Sequence, residues 1–313
     1  MQHSVHQPVM LNEVINGLSI QPEGVYVDAT FGRGGHSRAI LSALGPKGRL
    51  FAYDKDPEAV AYAESNIEDD RFEIRHDSYK AMLKDLLSAG MQGRVNGVLM
   101  DLGLSSPQID VAARGFSFMA PGPLDMRMNP KQPLSAKVWL AETSETEIAD
   151  ALYYYGEERL SRSIARAIVR HREAAGDIET TQDLVAIIKS AVGGRYQKEK
   201  HPATRTFQAI RIVVNAELEE LECCLSDALI DLLAVGARLV VISFHSIEHR
   251  LVRKFMQRYL PGNETPEQQM SLAQTPVPRL KRVGRTLTPS VQELADNVRC
   301  RSAQCRIVEK LAC

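Results

Sequence analysis

Asp28-Ala-Thr-Phe-Gly-Arg-Gly-Gly-His36 follows a short apolar run, Val25-Tyr-Val, and leads into Ser37 to Leu44, which carries Ile40, Leu41 and Leu44 on one side. A strand, a glycine-rich turn and an amphipathic helix in that order open a βαβ unit. The arrangement recurs. Gly48 to Asp54 reads as a second strand, with Pro57 suited to the first turn of the helix after it. Phe72 to Asp77 reads as a third strand and Val95 to Asp101 as a fourth. Asp28, Asp54, Asp77 and Asp101 close these runs at spacings of 26, 23 and 24 residues, about one strand-plus-helix unit each. Strands alternating with helices predict right-handed crossovers and a parallel sheet. Ligands of such sheets bind outside the carboxyl ends of the strands. Four acids on that edge, beside a glycine turn, suit an adenosine-containing cofactor.

Outward from this core the rhythm breaks. Leu102 to Pro133 is rich in Gly, Pro, Ser and Met, and a loop of that length inside a domain is usually functional. Ser135 to Gly193 reads as almost wholly helical. The strand pattern returns at Ala237 to Ser243, followed by a helix through Phe255, and Gln304 to Glu309 closes the chain as a last strand. The simplest account is one α/β domain interrupted by a helical one: residues 1–110 and 213–313 form the first, 111–212 the insert. Gly262 to Ser290, with several prolines, reads as a mobile loop.

With 313 residues, 44% hydrophobic and 25% charged, the chain has ordinary globular composition. A net charge of −1 provides no global field for nucleic acid, so an RNA-binding surface must be local. The five cysteines, Cys223, Cys224, Cys300, Cys305 and Cys313, match no zinc-ligand spacing and read as reduced, buried or idle thiols; no metal is expected. No stretch approaches a membrane span and no signal segment is visible at the start, so a cytoplasmic protein without a membrane partner is expected.

The turn fails the GxGxxG dinucleotide fingerprint, because Ser37 and Arg38 stand where a spaced third glycine belongs. Its glycines still let backbone approach a bulky ligand. Asp54 ends the second strand, where an acid accepts both ribose hydroxyls. Tyr79, after the third strand, is placed for the adenine face, where stacking is worth roughly 1–3 kcal/mol; a core or rim tyrosine is the plain alternative. His36 reads as a hydrogen-bonding wall before a general base. Asp101-Leu-Gly-Leu-Ser-Ser-Pro-Gln108 is the most distinctive element: Asp101, Ser105, Ser106 and Gln108 offer hydrogen-bonding groups to a flat polar substrate, with a helix-capping serine as the bland reading. His245 ends the fifth strand on the same edge and is a substrate-side candidate, whereas His3 and His6 read as solvated tail residues.

Basic residues cluster despite the neutral total. Arg159, Arg162, Arg166 and Arg170 step by 3, 4 and 4 along a helix face. Arg205 and Arg211 lie near Lys198 and Lys200, and Arg279, Lys281, Arg282 and Arg285 form a third group. Each could be a solvated surface; together they favour phosphate contact. Phe207, Ile210, Val214, Leu218, Leu221 and Leu225 form a helical core stripe.

The motifs taken together resemble the bacterial small-subunit ribosomal RNA (cytosine-N4) methyltransferases. They are His6-Gln-Pro-Val-Met-Leu-Asn-Glu13, Asp28 to Ser37, Asp101 to Gln108, Arg114-Gly-Phe-Ser-Phe118, Pro123-Leu-Asp-Met-Arg-Met128, Tyr155-Gly-Glu-Glu-Arg159, His201 to Gln208 and Ser243-Phe-His-Ser246, in order along nearly the whole chain. The resemblance implies a class I S-adenosyl-L-methionine-dependent methyltransferase, Rossmann-like and mostly parallel, with an inserted all-helical substrate-recognition domain. It implies a target cytidine in the decoding region of 16S rRNA and leaves a homodimer open; the near-neutral charge favours an assembled small subunit over naked RNA as the substrate. It places the cofactor on Gly34, Gly35, His36, Asp54, Tyr79, Asp101 and Gln108; the reading of the residues themselves makes Ser105, Ser106, Arg159, Arg205 and His245 the candidates for substrate RNA. Tyr79 stands where many relatives carry phenylalanine.

The cytosine amine is a weak nucleophile and a sulfonium a strong methyl donor, so positioning supplies most of the rate. Asp101 is the candidate catalytic residue, orienting the amine and accepting from it. Competing readings are an N4-cytosine DNA methyltransferase, which the absent Asp/Ser-Pro-Pro-aromatic tetrapeptide disfavours, a nicotinamide dehydrogenase, which the failed fingerprint disfavours, and a non-enzymatic ribosome-assembly factor.

Overall fold

The computed structural model describes residues 8–193, 201–261 and 278–312. His3, His6, Lys198, Lys200, Cys313 and positions 262–277 of the expected mobile loop lie outside them. The chain divides into two compact units, residues 1–103 with 219–313, and residues 104–218.

In the first unit the chain runs α1 (Leu11–Leu18), β1 (Val25–Asp28), α2 (Gly35–Ala43), β2 (Arg49–Asp54), α3 (Pro57–Asn66), β3 (Phe72–His76), α4 (Tyr79–Ser88) and β4 (Val95–Asp101). The second unit holds α5 (Ser106–Asp110), α6 (Ala136–Glu142), α7 (Glu145–Tyr154), α8 (Ser161–Ala175), α9 (Thr181–Val192) and α10 (Thr204–Val214). Helix α11 (Glu217–Cys224) leads back into the first unit, which continues with α12 (Asp227–Leu232), β5 (Leu233–Ser243), α13 (Ser246–Tyr259), β6 (Leu280–Arg282), α14 (Val291–Asp296) and β7 (Gln304–Lys310).

The described strands form one sheet in the order β3-β2-β1-β4-β5-β7-β6. β1 to β5 are parallel; β7 runs antiparallel to both β5 and β6. Successive side chains alternate between two apolar layers, as a sheet covered on both faces requires. Val27, Met100, Leu239 and Val241 pack with Met82 and Leu86 of α4, Ile230 of α12 and Phe255 of α13. Tyr26, Leu50, Leu99, Val240 and Ile242 pack with Val14 and Leu18 of α1 and Ile40 of α2. A core of its own serves the helical unit, centred on Trp139, Leu152, Ile164, Ile168, Leu184, Ile188, Phe207 and Ile210. The stretch from Leu102 to Pro133 is pinned rather than loose: Arg114 donates to the carbonyls of Arg127 and Met128, and the Arg127 guanidinium pairs with Asp125 at 2.6 Å.

Several expectations are corrected. The divisions fall at 103/104 and 218/219 rather than 110/111 and 212/213. Leu104 packs on the helical core, and Glu217 pairs with Arg211 inside the helical unit at 2.8 Å. Glu219 and Glu220, by contrast, pair with Lys80 and Lys55 of the sheet unit. The long apolar stripe is two helices: Ala216 adopts φ 51°, and the buried Asn215 side chain donates to the Met126 carbonyl and accepts from the Met128 amide. Phe207, Ile210 and Val214 therefore serve one core and Leu221 and Leu225 the other. β5 begins at Leu233, four residues before Ala237. Leu280–Arg282 is a strand inside the segment read as loop. Arg159 precedes α8 rather than lying on it. Cys224, Cys300 and Cys305 are buried and Cys223 is exposed. Among the described residues no helix is long and apolar enough to cross a membrane.

Candidate active site

The carboxyl ends of β2, β1 and β4 lie side by side, and each delivers an aspartate. Asp28, at the end of β1, is buried and accepts from the Ser37 hydroxyl at 2.6 Å and from the Thr30 amide at 3.1 Å. Its pKa is raised by burial, against the opposing pull of the Ser37 hydrogen bond and of nearby His36. Asp28 is thereby a brace between β1 and α2, with its acceptor capacity turned inward.

The turn between them needs its glycines. Gly34 has φ 69°, and a Cβ there would lie 2.5 Å from the Phe31 ring. At Gly35 a Cβ would lie 2.8 Å from Pro8. Among the described residues no side chain caps the first turn of α2, so its backbone donors are left without a side-chain acceptor.

Asp54 accepts from the Gly32 amide at 2.8 Å through Oδ2 and from the Asp56 amide at 2.9 Å through Oδ1. The turn and the carboxyl thus fix each other, and each oxygen keeps a further lone pair. Burial pushes the Asp54 carboxyl up to about 6, opposed by these two amides.

Asp101 ends β4. Its amide donates to the Thr30 hydroxyl at 2.7 Å, which ties β4 to the glycine turn. His36 is buried and sits beside it. Its Nε2 lies 3.0 Å from the Val9 carbonyl, which can only accept, so the ring proton is on Nε2. Nδ1 then presents a lone pair 3.7 Å from Asp101 Oδ2. The other oxygen, Oδ1, is buried with no hydrogen-bond partner among the described residues. Burial raises the Asp101 carboxyl well above the usual range, with Asp28 and Glu248 adding to the effect. Burial lowers His36, against the attraction of Asp28. The pair is therefore a neutral imidazole beside a carboxyl with heightened proton affinity.

The other candidates divide. Tyr79 starts α4 and packs half-buried against the sheet core. His245, at the end of β5, is the N-cap of α13, and its Nε2 lies 3.2 Å from Glu248 Oε1; Glu248 also accepts from the Phe244 amide at 2.7 Å. Its Nδ1 accepts from the Glu248 amide at 3.5 Å and so holds the strand-to-helix corner, while the buried Nε2 makes no hydrogen bond among the described residues. Ser105, Ser106 and Gln108 belong to the helical unit, where Ser105 and Gln108 form a reciprocal capping box at the start of α5 and Gln108 is buried. Arg205 is half-buried on α10, and its backbone carbonyl lies against Gly156. Arg159 and Arg162 are exposed and line an open groove of about 500 Å³ with Tyr153 and Tyr154. The two tyrosine rings stand edge to face at 5.1 Å and are 56% and 62% exposed, unusual for aromatic side chains.

Sequence reasoning missed three of these features. The link from Thr30 to Asp101 joins residues too far apart in sequence to suggest each other, and the brace of Asp28 on Ser37 lay within the glycine motif without a spacing that announces it. Tyr153 and Tyr154 had a signal, a run of three tyrosines just before Gly156.

Comparison with known proteins agrees with this architecture. The model of the MraW methylase family matches residues 3–311. A Coxiella burnetii protein named ribosomal RNA small subunit methyltransferase H is 51% identical over 308 residues, covering 98% of this chain and 99% of that protein. Proteins of the same name from Hydrogenovibrio crunogenus (49% identical, 98% of this chain and 97% of that one) and Burkholderia pseudomallei (52%, 98% of each) match as fully. With identity near one half sustained from end to end, around a glycine turn and strand-end carboxyls that suit methyl transfer, the chain belongs to the MraW methylase family.

Proposed function

We propose that this protein transfers the methyl group of S-adenosyl-L-methionine to the N4 amine of a cytidine in 16S rRNA. The observation that carries the reading is the Asp101 carboxyl: fixed at the end of β4, raised in proton affinity, and aimed with one buried oxygen unpartnered beside the glycine turn. The donor set fits the cofactor. Asp54 keeps a lone pair on each oxygen for the two ribose hydroxyls. The turn at Gly34, Gly35 and His36 offers backbone donors for the amino-acid end. Tyr79 flanks the strand end assigned to the adenine, and Gln108 is assigned to the same cofactor by resemblance. S-adenosyl-L-methionine supplies a methyl carbon already activated by a sulfonium.

The chain's own residues then do three things. The edge holds the target amine in line with the methyl group, which lowers the barrier through orientation. Asp101 Oδ1 accepts a hydrogen bond from the amine, drawing its lone pair toward attack and stabilising the positive charge that develops. Asp101 then takes the proton that the methylated amine sheds, while His36, fixed by Val9, walls the carboxyl on one side. On the substrate side, the groove of Tyr153, Tyr154, Arg159 and Arg162 offers faces for bases and charges for phosphates, and Arg205, Ser105 and Ser106 join it as candidates. An assembled small subunit, in the cytoplasm, is the substrate form this reading favours.

The test is transfer of labelled methyl to small subunits from cells lacking the protein, with the modified nucleotide mapped. Label on one cytosine N4 of 16S rRNA is the expected result. Label on duplex DNA instead, or subunit binding without any transfer, would overturn the reading.

A further inference from the structure

Four arginines converge where α13 meets the β6–β7 edge. Arg253, Arg282, Arg285 and Arg306 line one cavity of about 270 Å³ together with Met256 and Val308, and among the described residues no acidic side chain lines it. Several other arginines of this unit are neutralised: Arg71 by Asp69 at 2.6 Å, Arg238 by Glu309 at 3.1 Å, Arg279 by Asp227 at 2.9 Å and by Asp231. Even Lys281, beside Arg282, pairs with Glu309 at 2.7 Å. None of the four has a carboxylate within 4.0 Å among the described residues. Arg306 is the most enclosed. Its Nη2 donates to Gln304 Oε1 at 2.7 Å, and its Nη1 is buried with no hydrogen-bond partner among the described residues. Burial and the charges of Arg253 and Arg282 lower its pKa.

Unneutralised like charges around a concave wall repel one another, and an anion removes the repulsion. A planar guanidinium with a buried, unpartnered N–H is suited to a phosphate oxygen. Arg306, at one end of the cavity, stands one residue from the strand-end level that carries the methyl-transfer site. Asp101 is in register with Ile242, and Ile242 with Cys305, the residue before Arg306. β7 is two strands from β4, about 10 Å at the usual strand spacing.

We propose that the cavity of Arg253, Arg282, Arg285 and Arg306 binds a backbone phosphate of the RNA substrate, close along the strand to the methylated nucleotide. This rests on the RNA-methylation reading above. A second phosphate-bearing source, a free small anion, shares the chemistry.

The experiment compares wild type with Arg282→Gln/Arg285→Gln, both exposed positions, and separately with Arg306→Gln. Direct binding of a 16S rRNA fragment is titrated from about 50 to about 200 mM salt, and inorganic pyrophosphate is added as a competitor. S-adenosyl-L-methionine binding serves as the check on folding. The expected result is RNA affinity lowered about tenfold at low salt, with the salt slope reduced by about 0.7 for each phosphate no longer neutralised. Pyrophosphate competes with RNA on wild type and not on the variants. Unchanged affinity and slope in both folded variants would overturn the proposal. Loss of pyrophosphate binding with RNA binding untouched would also overturn it, in favour of a free anion. Because binding is read without turnover, a wild type that holds RNA through this cavity yet methylates none of it would indict the reaction and leave the cavity standing.

Discussion

Asp101 is asked to be ionised while buried, and its surroundings answer by leaving one oxygen unpartnered and a neutral imidazole alongside. Replacing it by Asn keeps the shape and removes the charge and the proton acceptor. We expect kcat at saturating S-adenosyl-L-methionine to fall about 10²-fold or more, within the usual range for removal of an acid–base group. The same substitution should remove the acidic limb of the kcat–pH profile at saturating cofactor, since in wild type activity rises as a carboxyl shifted upward becomes ionised. An Asp101→Asn enzyme with full turnover at saturating cofactor would dismiss the role. Asp54 titrates nearer neutrality. Between its unfolded value, 3.8, and about 6 the folded state keeps a proton that the unfolded chain has released. Stability contributed by Asp54 therefore falls as pH rises through that window, while ribose binding, which needs the ionised form, gains. Calorimetric cofactor affinity should be several-fold weaker at pH 5 than at pH 7.5 in wild type and flat in Asp54→Asn.

At the scale of elements, the joint between β1 and α2 decides whether the glycine turn keeps its shape. Ser37→Ala leaves the buried Asp28 carboxyl without its 2.6 Å donor. The expected cost is about 1–3 kcal/mol of unfolding free energy, read as a lower denaturation midpoint, with cofactor affinity dropping in parallel. A variant as stable as wild type would mean that the brace is dispensable. The strand-end aspartates Asp28, Asp54 and Asp101 were legible because hydrophobic runs of strand length ended in acids at βαβ spacing. Their separate duties were not: Asp28 turns inward, Asp54 buttresses the turn, and Asp101 stays half-satisfied, all through partners chosen by the fold. The basic groups show the same limit. Arg279 and Lys281 look equivalent to Arg282 and Arg285 in sequence, yet the first two are paired and the last two join Arg253 and Arg306, which lie about 30 residues before and 20 after them. The stripe from Phe207 to Leu225 misled because a left-handed Ala216 divides it without any glycine or proline to announce the break.

For the molecule as a whole, separate cores predict separate unfolding. The helical unit's cluster draws only on residues 104–218 and the sheet unit's clusters on the rest. Scanning calorimetry should resolve more than one transition. S-adenosyl-L-methionine at 100 times its Kd should stabilise the sheet unit's transition by about 2.7 kcal/mol and move the helical one only as far as Gln108 couples it to the cofactor; a single transition moving as one would show a shared cooperative unit. The sheet's strand order carries one more consequence. β4 has β1 on one side and β5 on the other, yet Asp101 and Leu233 are separated in the chain by the entire helical unit. A ribosome adding about 5–20 residues per second needs roughly 7–26 s to travel from one to the other. During that interval the nascent β4 presents an open, strongly apolar edge while the later-encoded helices are already free to fold, so newborn chains should depend on holdase protection until β5 emerges and closes the sheet.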